Sequence, residues 1–320
     1  MNTRLLSILL AVGIIALLAL ASRQEADKPA AQARATARAE AVAALEIPSR
    51  PEAIEFEPLA FEPPAAASFR RQLPDGTVVY LAPSREFPLV NLVMTFKGGS
   101  SLDPADLPGL ASMTARLVRE GGAEGLPPAE FDETLDFLAT EVAVNANDTF
   151  TTATMNCLKS NLDESLKLFM AMLRTPAFDA GRLDTTKARL TESLKQRNDD
   201  ASSILGREWK RLLYGSEHFE GSQPTGATVA AIDRDRLLEM HRRIFHSGNV
   251  IIAVSGDFDE QEMLSRLEQA LAGWERGEPA PDPVAPEVVL EPGLYHVPKE
   301  IPQGKVVMGL RSIDRDDPDL

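Results

Sequence analysis

Pro108-Gly109-Leu110-Ala111-Ser112-Met113-Thr114-Ala115-Arg116-Leu117-Val118-Arg119-Glu120-Gly121-Gly122 holds more information than any other stretch of this 320-residue chain. Leu110, Met113, Thr114, Leu117 and Val118 recur at the i, i+3, i+4, i+7, i+8 spacing of a buried helical stripe. Pro108 suits a first helical turn and Gly121-Gly122 gives a stop, so the pattern predicts an amphipathic helix. Ser112, Ala115, Arg116 and Arg119 form a second stripe at the same spacing, predicted to face away from the core. Any chemistry carried by this helix belongs on that face.

Upstream, Phe69 to Leu73, the turn Pro74-Asp75-Gly76 and Thr77 to Leu81 predict a β-hairpin. A third strand, Leu89 to Phe96, ends at Gly98-Gly99. Downstream, Phe131, Leu135 and Leu138 predict a helix behind Pro127-Pro128, followed by strands at Val142 to Asn145 and Thr149 to Leu158. Leu162 to Leu173 predicts a helix capped by Asn161 with Glu164. A long helical region from Asp179 to Leu213 has a break expected at Asp199-Asp200. A polar loop, a helix capped by Asp233, an apolar strand at Val250 to Val254 and a helix opened by an Asp259/Glu262 capping box complete the order. Hairpins, adjacent strands and paired helices together predict an α+β fold, helices layered on a largely antiparallel mixed sheet.

The flanks read differently. Residues 1–21 have a basic Arg4, an apolar run from Leu5 to Leu20 and a small-x-small end at Ala19-Leu20-Ala21, the form of an export signal. An uncleaved anchor through residues 5–20 is the alternative. Residues 22–67 are an Ala/Glu/Pro-rich spacer with a short helix expected near Ala31 to Leu45, and the folded domain is expected over 68–276. Five prolines in 277–293 have linker composition. Beyond them, strand-like Leu294 to Val297 and Lys305 to Leu310 read as the start of a second domain cut short at Leu320.

Composition bounds the partners. Against 48 acidic residues stand 33 basic ones, a net charge of −15 that argues against nucleic acid or an anionic membrane surface. Cys157, the single cysteine, permits no intramolecular disulfide and reads as a small buried hydrophobe. His241 and His246 are five residues apart and share no helical face, while His218 and His296 lie in a loop and beyond the linker. No G-x-S-x-G or phosphate-binding loop occurs, and Gly98-Gly99-Ser100-Ser101 reads as a strand-to-helix turn.

Several stretches resemble the pitrilysin/insulinase family of zinc peptidases, in its shorter bacterial and mitochondrial-processing type. They are Leu73-Pro74-Asp75-Gly76-Thr77-Val78, Phe96-Lys97-Gly98-Gly99-Ser100 leading into Pro108-Gly109-Leu110-Ala111, Leu162-Asp163-Glu164-Ser165-Leu166, Arg174-Thr175-Pro176-Ala177-Phe178 and Val254-Ser255-Gly256-Asp257-Phe258. Their joint order from Phe69 to Leu310 carries the resemblance. That family places H-x-x-E-H directly after Gly-Leu-Ala, with a glutamate ligand about 76 residues beyond the second histidine. Two imidazoles one turn apart and a carboxylate hold Zn²⁺ with one position open, and the intervening glutamate takes a proton from the bound water.

Here the resemblance puts Ser112 at the first histidine, Ala115 at the glutamate and Arg116 at the second histidine. Glu192, 76 residues after Arg116, is the candidate surviving third ligand and is read as either a partner for Arg116 or a solvated helix residue. The resemblance therefore implies no catalytic residue and no metal in this chain, with zinc expected in a partner subunit. It also implies an edge strand, Glu141, Val142, Ala143, Val144 and Asn145, onto which an extended peptide adds, an ordinary ladder strand being the alternative. Two functions follow as expectations. One is a zinc-lacking subunit of an exported, periplasmic or membrane-tethered metallopeptidase, paired with an H-x-x-E-H subunit to bind and process peptides. The other is a scaffold or peptide-binding protein of the same fold without a peptidase partner.

Overall fold

The structure is a computed structural model; it describes residues 63–310 except residue 289, together with residues 50, 312 and 313. The expected export signal and most of the spacer, including its short helix, lie outside the described residues. Among those described, no helix is long and apolar enough to cross a membrane.

Six strands form one sheet: β1 (Arg70–Gln72), β2 (Val78–Pro83), β3 (Leu89–Lys97), β4 (Glu141–Ala146), β5 (Phe150–Leu158) and β6 (Val250–Gly256), in the order β1-β2-β6-β3-β5-β4. The predicted hairpin is present as β1 and β2, with Arg71 opposite Val79. Only β2 and β6 run parallel, so the sheet is mixed and largely antiparallel as expected. Its strands alternate as the two-residue period of a one-sided sheet requires: Val90, Leu92, Met94 and Phe96 of β3 are fully buried while Asn91 faces out. Phe96 sits against Phe245 and Trp274, with ring centroids 5.0 Å and 6.1 Å away, and burying such a ring contributes about 2–3 kcal/mol.

Helices cover the inner face: α1 (Leu110–Glu120), α2 (Pro128–Phe137), α3 (Leu162–Arg174), α4 (Ala180–Gln196), α5 (Ala201–Tyr214), α6 (Gly226–Ala231), α7 (Arg234–Ile244) and α8 (Glu260–Leu271). The Asp199-Asp200 break is real. Asp200 accepts from the Ser203 amide to start α5, just as Asp179 caps α4 and Asp233 caps α7. Other expectations need correction. Asn161 does not cap α3; its side-chain amide donates instead to the Leu138 carbonyl, tying α3 to the end of α2. Asp259 caps α8 alone, accepting from the Gln261 and Glu262 amides. The polar loop contains the short α6, started by a capping box between Thr225 and Thr228.

The Pro-rich stretch is tied down where it leaves the domain: Gly277 donates to His246 Nδ1 and Ala280 donates to Asn249 Oδ1. Leu294 to Val297 and Lys305 to Leu310 form no strand. A strand exists only as a member of a ladder, and no described segment pairs with them, leaving Leu294, Val306, Met308 and Leu310 exposed.

Candidate functional site

Helix α1 enters through Gly109, whose φ of 96° lies in the left-handed region that glycine alone adopts freely. Asp103 fixes this entry, its two carboxylate oxygens each accepting a backbone amide, from Gly109 and from Ala111, at 2.7 Å. Burial pushes the Asp103 carboxyl up to about 6, against the lowering effect of those two amides and of Arg243.

Along α1 the inner stripe is buried as expected. The outer stripe needs one correction. Ser112 and Arg116 are exposed, but Ala115 is 1% exposed and belongs to the core. A methyl group is small enough for the flank of the helix to close over it. A glutamate at this position would have to bury its carboxylate, which is costly without partners.

Ser112 and Arg116 line a cleft of about 730 Å³. Its opposite wall is one stripe of α4, Thr186, Arg189, Leu190 and Ser193, again at i, i+3, i+4, i+7. The remaining walls come from Ser100 to Pro104, from the loop Glu217 to Pro224 and from Asp148 in the β4–β5 turn. The approach of Ser100 to that turn depends on Gly99, where any Cβ would collide with the Asn147 carbonyl. Ser100 donates from its amide to Asn147 and from its hydroxyl to Asp148.

Glu192 does not reach this cleft. Its carboxylate is exposed and accepts from Lys195 at 3.0 Å and Gln196 at 3.3 Å, both on its own helix, with its pKa lowered chiefly by the Lys195 hydrogen bond. The proposed pairing with Arg116 is therefore not formed. A residue one position further on, Ser193, takes the place across from Arg116, because one residue is about 100° of rotation around a helix.

These side chains do not fit zinc. Serine hydroxyls are poor ligands, and two guanidiniums that never deprotonate would repel a dication. Among the described residues no group of three or more His, Cys, Asp or Glu could hold a metal. Two of the histidines serve packing. His241 Nε2 donates to the Leu173 carbonyl at 2.8 Å and its ring stacks on Phe245; His218 stacks on Tyr214 in the cleft wall. As read from sequence, Cys157 is fully buried, and burial raises its thiol pKa.

Strand β4 forms one edge of the sheet. The Asn147 amide bonds Phe150 to close the hairpin, and antiparallel pairs alternate from there. Val142, Val144 and Ala146 therefore turn their backbone N–H and C=O groups outward, while Ala143 and Asn145 bond β5. One outward acceptor is taken: Arg119 Nε donates to the Val142 carbonyl at 3.0 Å. Arg119 also holds Asp132 at 2.7 Å and lies over the Phe131 ring.

Sequence reasoning missed Thr186, Arg189 and Ser193. The helical period of α4 was the available signal, since these residues mark a face that excludes Glu192. It also missed the loop Glu217 to Pro224, which has no period to betray it.

Fold and site together define a peptidase-like α+β domain without a working metal site. Two models of one family match it: insulinase (peptidase family M16) over residues 78–218 and peptidase M16 inactive domain over residues 231–320. The chain belongs to the insulinase (M16) family and lacks that family's zinc motif. A curated relative, the non-peptidase homolog YmxG of Helicobacter pylori (strain ATCC 700392 / 26695), is 24% identical over 197 residues, 61% of this chain and 45% of that protein. Two solved structures share the fold. The peptidase M16 inactive domain from Pseudomonas fluorescens has a TM-score of 0.63 and 22% identity, covering 68% of this chain and 53% of that one. The periplasmic protease PqqL from Escherichia coli has a TM-score of 0.60 and 19% identity, covering 68% and 25%. The chain thus spans about half or less of the length of these relatives.

Proposed function

We propose that this chain is the zinc-lacking member of an exported M16 peptidase pair, binding peptides that a second, H-x-x-E-H subunit cleaves. The observation that carries this reading is the edge strand β4, whose turn reaches a cleft lined by Ser112, Arg116 and Ser193. A chain kept only as a scaffold has no need of an unpaired edge next to a cleft, and exposed edges are a liability that proteins usually cover. The name of the Helicobacter relative, a non-peptidase homolog, supports the loss of catalysis, and that of PqqL, a periplasmic protease, supports export.

An extended peptide would add to the outward groups of Val144 and Ala146, where backbone bonds supply affinity without regard to sequence. Zinc, held by the partner, would supply the Lewis acid and the activated water. The test is reconstitution with an H-x-x-E-H chain encoded beside this one. The two should co-purify, and cleavage of a fluorogenic peptide library should exceed that of the partner alone by tenfold or more, on the order seen when a substrate is positioned. Equal cleavage with and without this chain would overturn the pairing.

A further inference from the structure

Arg116 and Arg189 project from two different helices into one cleft, and among the described residues neither has a carboxylate within ion-pair distance. The acids that share the cleft are mostly committed. Asp103 accepts the Gly109 and Ala111 amides, and Asp148 and Glu220 both hold Lys210; Glu217 stands exposed and reaches neither arginine. Three residues before Arg189 on the same helix lies Thr186, 3% exposed, whose hydroxyl has no hydrogen-bond partner. A threonine inside a helix ordinarily bonds back to the carbonyl four residues earlier, as Thr114 and Thr185 do here. Thr186 makes no such bond; the residue lines the cleft while its hydroxyl is buried and unpartnered, within a rotamer change of the cleft.

Two planar guanidiniums, a buried unsatisfied hydroxyl and the Ser112 and Ser193 hydroxyls make a set rich in donors with no carboxylate among them. Such a set suits an oxyanion, which guanidiniums bind in bidentate fashion. We infer that Arg116, Arg189, Thr186, Ser112 and Ser193 form a carboxylate-binding site on the helix face that the family resemblance matches to the zinc motif, and that it takes an acidic group of a bound peptide. Asp148, in the turn that ends β4, stands in the cleft wall, so the cleft adjoins the end of the β4 strand. The peptide source of the carboxylate rests on the proposed function; the oxyanion site itself does not.

The experiment records Arg Nε–Hε signals and binding isotherms of the whole chain with four probes: N-acetylalanine as the free acid, the pentapeptide Ac-Ala-Val-Ala-Val-Asp-NH₂, its Asn counterpart, and inorganic phosphate. The Asp peptide should bind about tenfold more tightly than the Asn peptide, the gain expected of a charged over a neutral acceptor. In the double variant R116Q/R189Q that ratio should fall to about one, with the melting temperature moved by no more than about 2 °C because both residues are exposed. If N-acetylalanine shifts both arginine signals but neither peptide binds more tightly than it does, the site stands and the peptide-binding function falls. If no carboxylate probe shifts either arginine, if the Asp preference survives R116Q/R189Q, or if phosphate binds tenfold more tightly than every carboxylate, the inference is overturned.

Discussion

Arg119 Nε donates to the carbonyl of Val142, so a side chain from α1 already occupies the first outward acceptor of the β4 edge. Arg119 thus joins three elements, because it also bonds Asp132 in α2 and lies on Phe131. The usable edge begins at Val144 and leads to the cleft end of the strand.

Removing this clamp should loosen β4. Arg119→Leu deletes one charged hydrogen bond to a backbone carbonyl and one half-exposed ion pair, at a cost of about 1–2 kcal/mol after allowance for solvent. Urea unfolding should show that loss, and amide exchange should quicken in β4 before β3. Unchanged stability would mean that the Val142 contact carries no load.

Asp103 should make the entry to α1 respond to pH. Its folded pKa of about 6 lies above the ordinary carboxylate value, so the folded state holds a proton that the unfolded state has released. This group's contribution is therefore largest below pH ~4 and is lost as pH rises to about 6, at no more than about 1.4 kcal/mol per unit. Asp103→Asn removes the slope. Relative to wild type, the variant should lose stability on acidification from pH 6 to pH 4, measured as a difference in urea midpoints.

His241 works in the opposite direction. Desolvation lowers its pKa from 6.5 to about 4, so on acidification the unfolded chain takes up a proton first. Its contribution is complete above pH ~6.5 and declines as pH falls toward 4. His241→Gln, which keeps a donor for the Leu173 carbonyl, should flatten that decline. The two variants should change the same pH window with opposite signs, and equal signs would contradict whichever assignment has the wrong one.

How much of this could be read from sequence depended on whether the deciding pattern was periodic. Strand alternation located β3, and helical period with Asp caps located α4, α5 and α7, since both are local consequences of backbone geometry. The exposed position of Arg116 followed from period as well. Ala115 did not, because whether a small residue on a helix flank is covered depends on a neighbouring element arriving from elsewhere in the chain. Glu192 failed for a related reason. A count of residues fixes a position along α4 only to within one, and one residue turns a side chain from the cleft to solvent. The cleft itself is assembled from α1, α4 and the loop Glu217 to Pro224, which is distant from α1 in sequence, a juxtaposition no local pattern encodes.

That one-residue offset gives the sharpest test of where a metal site of this family's type would fall in this chain. A zinc ion needs three protein ligands on converging faces. Ser112→His with Arg116→His supplies two imidazoles one turn apart on the cleft face of α1, but Glu192 cannot supply the third while its carboxylate lies in solvent with Lys195. Ser193→Glu can, because Ser193 lines the cleft opposite. The variant S112H/R116H/S193E should bind zinc more tightly than S112H/R116H on the order of a hundredfold, since losing even an outer-shell partner of a ligand costs ten- to a hundredfold. Ala115 stays unchanged, which avoids a buried carboxylate and withholds the general base, so metal uptake is expected without cleavage. Competition with a chromophoric chelator reads the affinity directly. Equal uptake by the two variants, both folded, would show that Ser193 is not the ligand position and that Glu192 or the solvent completes the site.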